Sequence, residues 1–182
     1  MERMELSPAE KSAVAHLRVN ARMPLTKLGR ASKMPVSTLF DYLAGRFSAF
    51  ITKYTALLNF GRLGFHAWAF ITMKVAPEEK DKILEYFEKQ KCLNSLYKIN
   101  NGYDFMAEVV FRTMGELEHF VEELDTLFAI REKNIYYVIS DIHREQFWAE
   151  LPEKMRHQRK VYNPHAFSAR HGHPVTHRLR RD

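Results

Sequence analysis

The chain has a single cysteine, Cys92, in 182 residues. One thiol closes no disulfide within the chain and builds no cysteine-rich zinc site, so a reducing compartment is its simplest home. No apolar run approaches the roughly 20 residues that a membrane-spanning helix needs. The N-terminus, MERMELSPAE, is charged and lacks the apolar core of a signal peptide. These absences point to a soluble, cytoplasmic protein with no membrane partner. A phosphate-binding glycine loop, a nucleophile paired with a base and a metal signature are also missing, so the chain is not expected to be an enzyme or to need a cofactor. What is present is enough to fold: the hydrophobic share is 46%, and the length allows one large domain or two small ones.

Charge is divided unevenly. Residues 1–64 hold ten Lys/Arg against four Asp/Glu, residues 65–143 nine against fourteen, and residues 144–182 nine against four. Two basic ends therefore flank an acidic middle. That asymmetry suggests contact with a polyanion at the ends and a different task between them. The plainer alternative is uneven surface charge without a partner.

In the N-terminal third, Ser7-Pro8-Ala9-Glu10 reads as a capping box: a capping hydroxyl, a proline at the first helical position and a glutamate three residues after the cap. Val14, Leu17 and Ala21 follow at helical spacing. Pro24 starts a second short helix with Leu25, Leu28 and Ala31 inward. Ser32-Lys33-Met34 forms a turn, and a third helix begins at Pro35 or Val36. Three short helices with a tight turn before the last make a helix-turn-helix, whose third helix here would place Val36, Leu39, Phe40 and Leu43 in the core. The opposite face carries Ser37, Thr38, Asp41 and Tyr42, the candidate readers of base edges in double-stranded DNA.

From Val36 to Gly45 this helix has no Lys or Arg and one acid, Asp41. The missing positive charge surrounds it in sequence, at Arg18, Arg22, Lys27, Arg30, Lys33, Arg46 and Lys53. Phosphate contacts fix register and base contacts choose sequence, so different residues can do the two tasks. A buried helix of a three-helix core, with no DNA role, is the competing reading.

The middle of the chain repeats a strand-helix-strand pattern. Ile51 to Phe60 is β-rich and leads to a turn at Gly61–Gly64; Phe65 to Val75 is an apolar strand. Glu78 to Lys91 is an amphipathic helix with Ile83, Leu84 and Phe87 inward, and Cys92 to Ile99 a second strand. Tyr103 to Arg112 alternates, with Phe105, Ala107, Val109 and Phe111 on one side. Thr113 caps a helix running to Phe128, and Ile135 to Ile142 is the fourth strand. The expected fold is α+β. It comprises a winged-helix-like helix-turn-helix domain over 1–50, a β linker over 51–64, a ferredoxin-like βαββαβ domain with a four-stranded antiparallel sheet over 65–143, and a basic extension over 144–182. Two helices cover one sheet face only, which leaves the other for a second copy of the chain.

Two stretches carry a likeness to a known family. Ile51-Thr52-Lys53-Tyr54-Thr55-Ala56-Leu57-Leu58-Asn59, followed by Leu63-Gly64-Phe65, matches a linker of the form I-x-G-Y-T-A-x-x-D then L-G-Y. Asn101-Gly102-Tyr103-Asp104 is similar to a G-x-Y-D loop, with Asn101 in the first glycine's place. In this order, between a helix-turn-helix and a ferredoxin-like domain, they resemble the Lrp/AsnC transcription regulators over roughly Leu6 to Arg144. The resemblance implies a DNA-binding regulator, homodimers paired through the sheets that can assemble into octamers, and a small effector, commonly an amino acid, bound near the G-x-Y-D loop. Gly102, Tyr103 and Asp104 thereby become effector-binding candidates; a tight strand-strand turn is the alternative. Ser37-Thr38-Leu39 matches the family's S-T-V. Tyr42 stands where many members have arginine, so base preferences do not carry over.

The chain then continues past the family's usual end. Phe147, Trp148 and Leu151 form an apolar patch suited to docking, within a turn or two of helix over Glu145 to Met155. Lys154 to Arg181 holds eight Lys/Arg and no acid. It reads as a basic arm along DNA, as a solvated tail, or as a segment folded onto a dimer neighbour. His171, His173 and His177 follow no established zinc spacing. Two other functions remain open beside the regulator. One is a chromatin-like architectural protein with little sequence choice; the other, slightly favoured by Phe65-His66-Ala67-Trp68, is an enzyme like the sirohaem decarboxylases.

Overall fold

A computed structural model describes residues 5–149. The expectations for Leu151, for the basic run from Lys154 and for the histidines at 171, 173 and 177 lie outside the described residues. Ser7 starts the first helix as its sequence demands: its Oγ accepts from the Glu10 N–H at 3.3 Å, and its own N–H donates to Glu10 Oε2 at 2.6 Å. Helix α1 then runs Pro8–Val19, α2 Leu25–Ser32 and α3 Val36–Ala44. Lys33 turns the chain with a left-handed φ of 58°. Gly29 is required beside it, because a Cβ there would meet the Met34 carbonyl oxygen at 2.8 Å. Leu6, Ala13, Val14, Leu17, Leu28, Leu39 and Phe47 form the core of this unit.

The expected inward faces are only partly realised. Leu39 is fully buried, but Val36 and Phe40 are exposed, as are Ala21 and Ala31. Three short helices cannot surround one another, so Phe40 stays in solvent, and Val36 touches α2 only on the side where its Cγ2 faces Gly29. Tyr42 takes the inward place instead, edge-on to Phe47 with centroids 5.6 Å apart.

Strand β1 spans Ala67–Val75, α4 Lys80–Glu88, β2 Leu93–Lys98, β3 Phe105–Phe111, α5 Met114–Leu127 and β4 Ile130–Tyr137. The sheet order is β2-β3-β1-β4 with antiparallel neighbours throughout. This is the ferredoxin-like arrangement. Alternate residues of β1 and β3, from Ala67 to Val75 and Phe105 to Val109, meet Ile83 and Phe87 of α4 and Leu117, Phe120, Val121 and Leu124 of α5. Thr113 caps α5 through the Glu116 N–H, as its position predicts.

Two strand expectations need correction. Ile51 to Phe60 forms no strand: it finds no backbone to pair with among the described residues, so its β-rich composition has no ladder to enter. The fourth strand starts at Ile130, not Ile135. Ile130, Glu132 and Lys133 pair with Val75, Lys74 and Met73, with a register shift at Arg131, along an edge of the sheet, where charged side chains reach water and hide the strand from a hydrophobicity pattern. The described chain divides into two compact units. One runs to Leu57 and includes the segment from Asp141; the other spans Leu58–Ser140.

Candidate functional site

The first candidate site is the three-helix unit. Ser37 and Asp41 project from α3 into solvent, and Thr38 is half-buried. Tyr42, expected among the readers, is turned toward the core: its ring meets Phe47 from one side and the Arg46 guanidinium at 5.8 Å from the other. A helix turns about 100° per residue, so with Leu39 inward the outermost line runs through Ser37, Asp41 and Ala44, and Phe40 lies on the flank. Sequence pattern missed Phe40 because an aromatic residue next to a core leucine reads as core.

The flanking cations separate into two groups. Arg22, Lys27, Arg30, Lys33 and Lys53 are exposed and form no ion pair among the described residues. Arg46 and Arg18 are engaged. Arg46 pairs through Nε with the buried Glu10 carboxylate, whose pKa its guanidinium holds below the usual range against the opposing effect of burial. Arg18 Nη2 lies 2.6 Å from Glu145 Oε2, and its Nε donates to the Phe147 carbonyl at 3.2 Å. The segment after the sheet is thereby fastened to α1 by charge and backbone. Its aromatic side chains do not dock: Phe147 stacks on Trp148 at 5.9 Å and stays 80% exposed. Glu145 and Trp148 both have left-handed φ, so no helix starts there.

The second candidate site is the loop between β2 and β3. Asn101 and Gly102 adopt φ of 62° and 90°, the left-handed pair that a tight hairpin turn favours. Asp104 is already committed. Its Oδ1 pairs with Lys80 of α4, its Oδ2 accepts the Val75 N–H at 3.0 Å, and its own N–H donates to the Met73 carbonyl at 2.8 Å. Lys80, before any other neighbour, holds this carboxyl below its usual pKa. Tyr103 donates its hydroxyl to Glu132 Oε1 at 2.6 Å and accepts from the Asn134 amide. Lys80, Glu132 and Asn134 thus belong to the site. They lie in another helix and strand, and no local motif announces them.

The sheet face away from the helices carries Trp68, Phe70, Thr72, Met106, Glu108 and Val110 by strand alternation. Glu108 is buried there without a cation: Trp68 Nε1, Asn94 Nδ2 and Ser95 Oγ donate to it at 3.0, 2.7 and 2.7 Å. Thr72 Oγ1 is buried without a hydrogen-bond partner.

Residues 68–146 match the family model of the Lrp/AsnC ligand binding domain. Over these residues the chain is similar to the Lrp/AsnC family. Among its relatives is the HTH-type transcriptional regulator FL11 of Pyrococcus furiosus, 23% identical over 150 residues, covering 82% of this chain and 97% of the relative. The FL11 protein of Pyrococcus abyssi is also 23% identical and covers 84% and 99%. The fold matches Bacillus subtilis LrpC with a TM-score of 0.68 at 16% identity, over 77% of this chain and 99% of LrpC. It also matches the Neisseria meningitidis regulator NMB0573, solved as an L-Met complex, at TM-score 0.71 and 18% identity, over 85% and 99%. Among the described residues, no helix is long and apolar enough to cross a membrane.

Proposed function

We propose that this protein is a DNA-binding transcription regulator that works as a dimer or larger assembly of its own copies and responds to a small molecule. The observation that carries the reading is a three-helix unit whose exposed cations, Arg22, Lys27, Arg30, Lys33 and Lys53, flank in sequence an α3 that has no Lys or Arg and one acid, Asp41. Cations grip phosphates, and α3 offers polar and apolar groups to base edges. The relatives named as transcriptional regulators agree with it.

The apolar sheet face opposite α4 and α5 supplies the surface through which two copies pair. At the β2–β3 loop, an amino acid is the favoured effector class, since a structural neighbour is an L-Met complex. Asp104 contributes there as the anchor that keeps the loop's backbone in place through Lys80 and Val75. Tyr103 and the open backbone at Gly102 are the groups left to meet a ligand. The basic run from Lys154 follows the segment that Arg18 fastens to α1, which suits a second set of phosphate contacts.

Binding to the protein's own upstream DNA and to random DNA over a salt series tests the reading. Tighter binding to upstream DNA, with affinity falling steeply as salt rises, is expected. Removing residues 154–182 should flatten the slope by several units if each Lys/Arg neutralises about one phosphate. Absence of binding in dilute buffer sinks the proposal, and an unchanged slope removes the tail from it. The neutral α3 favours a second reading, an architectural protein without sequence choice, which equal affinity for both DNAs would identify. The tetrapyrrole enzyme has less support: Trp68 is committed to Glu108, and His66 is exposed before β1.

A further inference from the structure

Phe40 is 63% exposed and Val36, one helical turn before it, 42% exposed. The two make an apolar row at i and i+4 on α3, beside a polar row of Ser37 and Asp41 with the same spacing. The core is already filled on the other side by Leu39, Tyr42 and Leu43; Val36 keeps one methyl toward Gly29 of α2, and Phe40 is left to solvent. The charge of the same unit points to an occupant. Lys27 and Arg30 on α2 and Lys33 in the turn are exposed and form no ion pair among the described residues. An exposed apolar side chain on a unit that also exposes unpaired cations matches a polyanion that displays methyl groups. The thymine C5-methyl in the major groove of duplex DNA is such a group, and phenylalanine is one of the side chains that packs on it.

We infer that Phe40, supported by Val36, is the specificity-determining residue of α3 and reads thymine through its methyl group. The inference rests on the DNA-binding reading above and goes further, because it names the base feature recognised and the residue that recognises it. It replaces the reading in which Tyr42 faces the groove. Asp41, beside Phe40, would discriminate at a neighbouring base pair by accepting from a cytosine amino group.

The test starts by selecting duplexes from a randomised pool with the full-length wild type and with Phe40→Ser. Thymines of the wild-type consensus are then replaced one at a time by deoxyuracil, which removes only the methyl. Burial of one methyl corresponds to a change of about fourfold in affinity. The wild type should lose about that much at one or two positions, while Phe40→Ser should bind thymine and uracil duplexes equally. Circular dichroism should show Phe40→Ser folded, since its side chain is exposed; Phe40→Leu, which keeps an apolar contact, should retain part of the thymine preference. Uracil effects of the same size in wild type and Phe40→Ser overturn the Phe40 assignment and leave DNA binding intact. A wild type that binds duplex DNA without enriching a sequence overturns the Phe40 assignment, and one that binds no duplex overturns both readings. Loss of the native oligomer in Phe40→Ser by light scattering places the ring in a protein contact and also overturns the assignment.

Discussion

Glu10 shows how one carboxylate serves two levels of the fold. Its Oε2 accepts from the Ser7 N–H and completes the N-terminal cap of α1, while its Oε1 takes the Arg46 guanidinium from beyond α3. The first contact follows from sequence spacing; the second is a tertiary consequence that ties the exposed Arg46 to α1. Arg46 first, then the Ser7 contacts, hold the Glu10 pKa below its ordinary 4.5 despite burial. A carboxyl with a depressed folded-state pKa stabilises above its unfolded value, and that contribution disappears as pH falls through the folded value. Glu10→Gln should therefore be less stable than wild type at pH 7, with the cap alone contributing on the order of 1 kcal/mol. The difference between the two proteins should shrink from pH 5 downward. Thermal melts of both across pH 3 to 7 check it, and a gap that does not depend on pH would show that Glu10 acts through shape alone.

At the scale of elements, the joint between α2 and α3 depends on Gly29. The Met34 N–H donates to the Gly29 carbonyl at 3.0 Å, and the Met34 carbonyl sits where a Cβ of residue 29 would go. Alanine favours a helix by up to about 1 kcal/mol over glycine, so propensity alone predicts that Gly29→Ala stabilises. The backbone collision predicts the opposite, a loss of about 1–3 kcal/mol, and a denaturant titration decides between them. The same competition between local and tertiary terms explains what was legible in the sequence. Capping residues, helix spacing and the alternation of β3 act locally, so α1, α5, β3 and the ferredoxin-like order could be read directly. The edge strand β4 was displaced because Arg131 to Lys133 satisfy a ladder without an apolar face. Phe40 and Tyr42 exchanged roles because three short helices close over only one side of α3. At the β2–β3 loop, Gly102, Tyr103 and Asp104 were legible as a motif. Their partners Lys80, Glu132 and Asn134 were not, since side-chain bonds across an antiparallel sheet leave no periodic trace.

For the whole molecule, the distribution of charge and apolar surface argues for cooperation between copies. The helical unit is basic and the sheet unit acidic, so two copies gain nothing by pairing through like-charged exteriors. The sheet face away from α4 and α5 offers Trp68, Phe70, Met106 and Val110 around a Glu108 already satisfied by three neutral donors. Pairing there would bury apolar surface without leaving that carboxylate unpartnered. Phe70 lies opposite both Glu108 and Tyr136 in the strand register and stays outside the buried core. Phe70→Asp should then place a second negative charge beside Glu108 and separate the copies while the core under α4 and α5 persists. Light scattering should report a monomer, with far-ultraviolet circular dichroism unchanged. Two helix-turn-helix units linked by a dimer contribute two sets of phosphate contacts, and a monomer contributes one, so the slope of log K against log salt should fall to about half. A Phe70→Asp chain that keeps the wild-type assembly would mean the copies pair elsewhere. A monomer with an undiminished slope would mean that each helical unit, with its own basic extension, grips DNA alone.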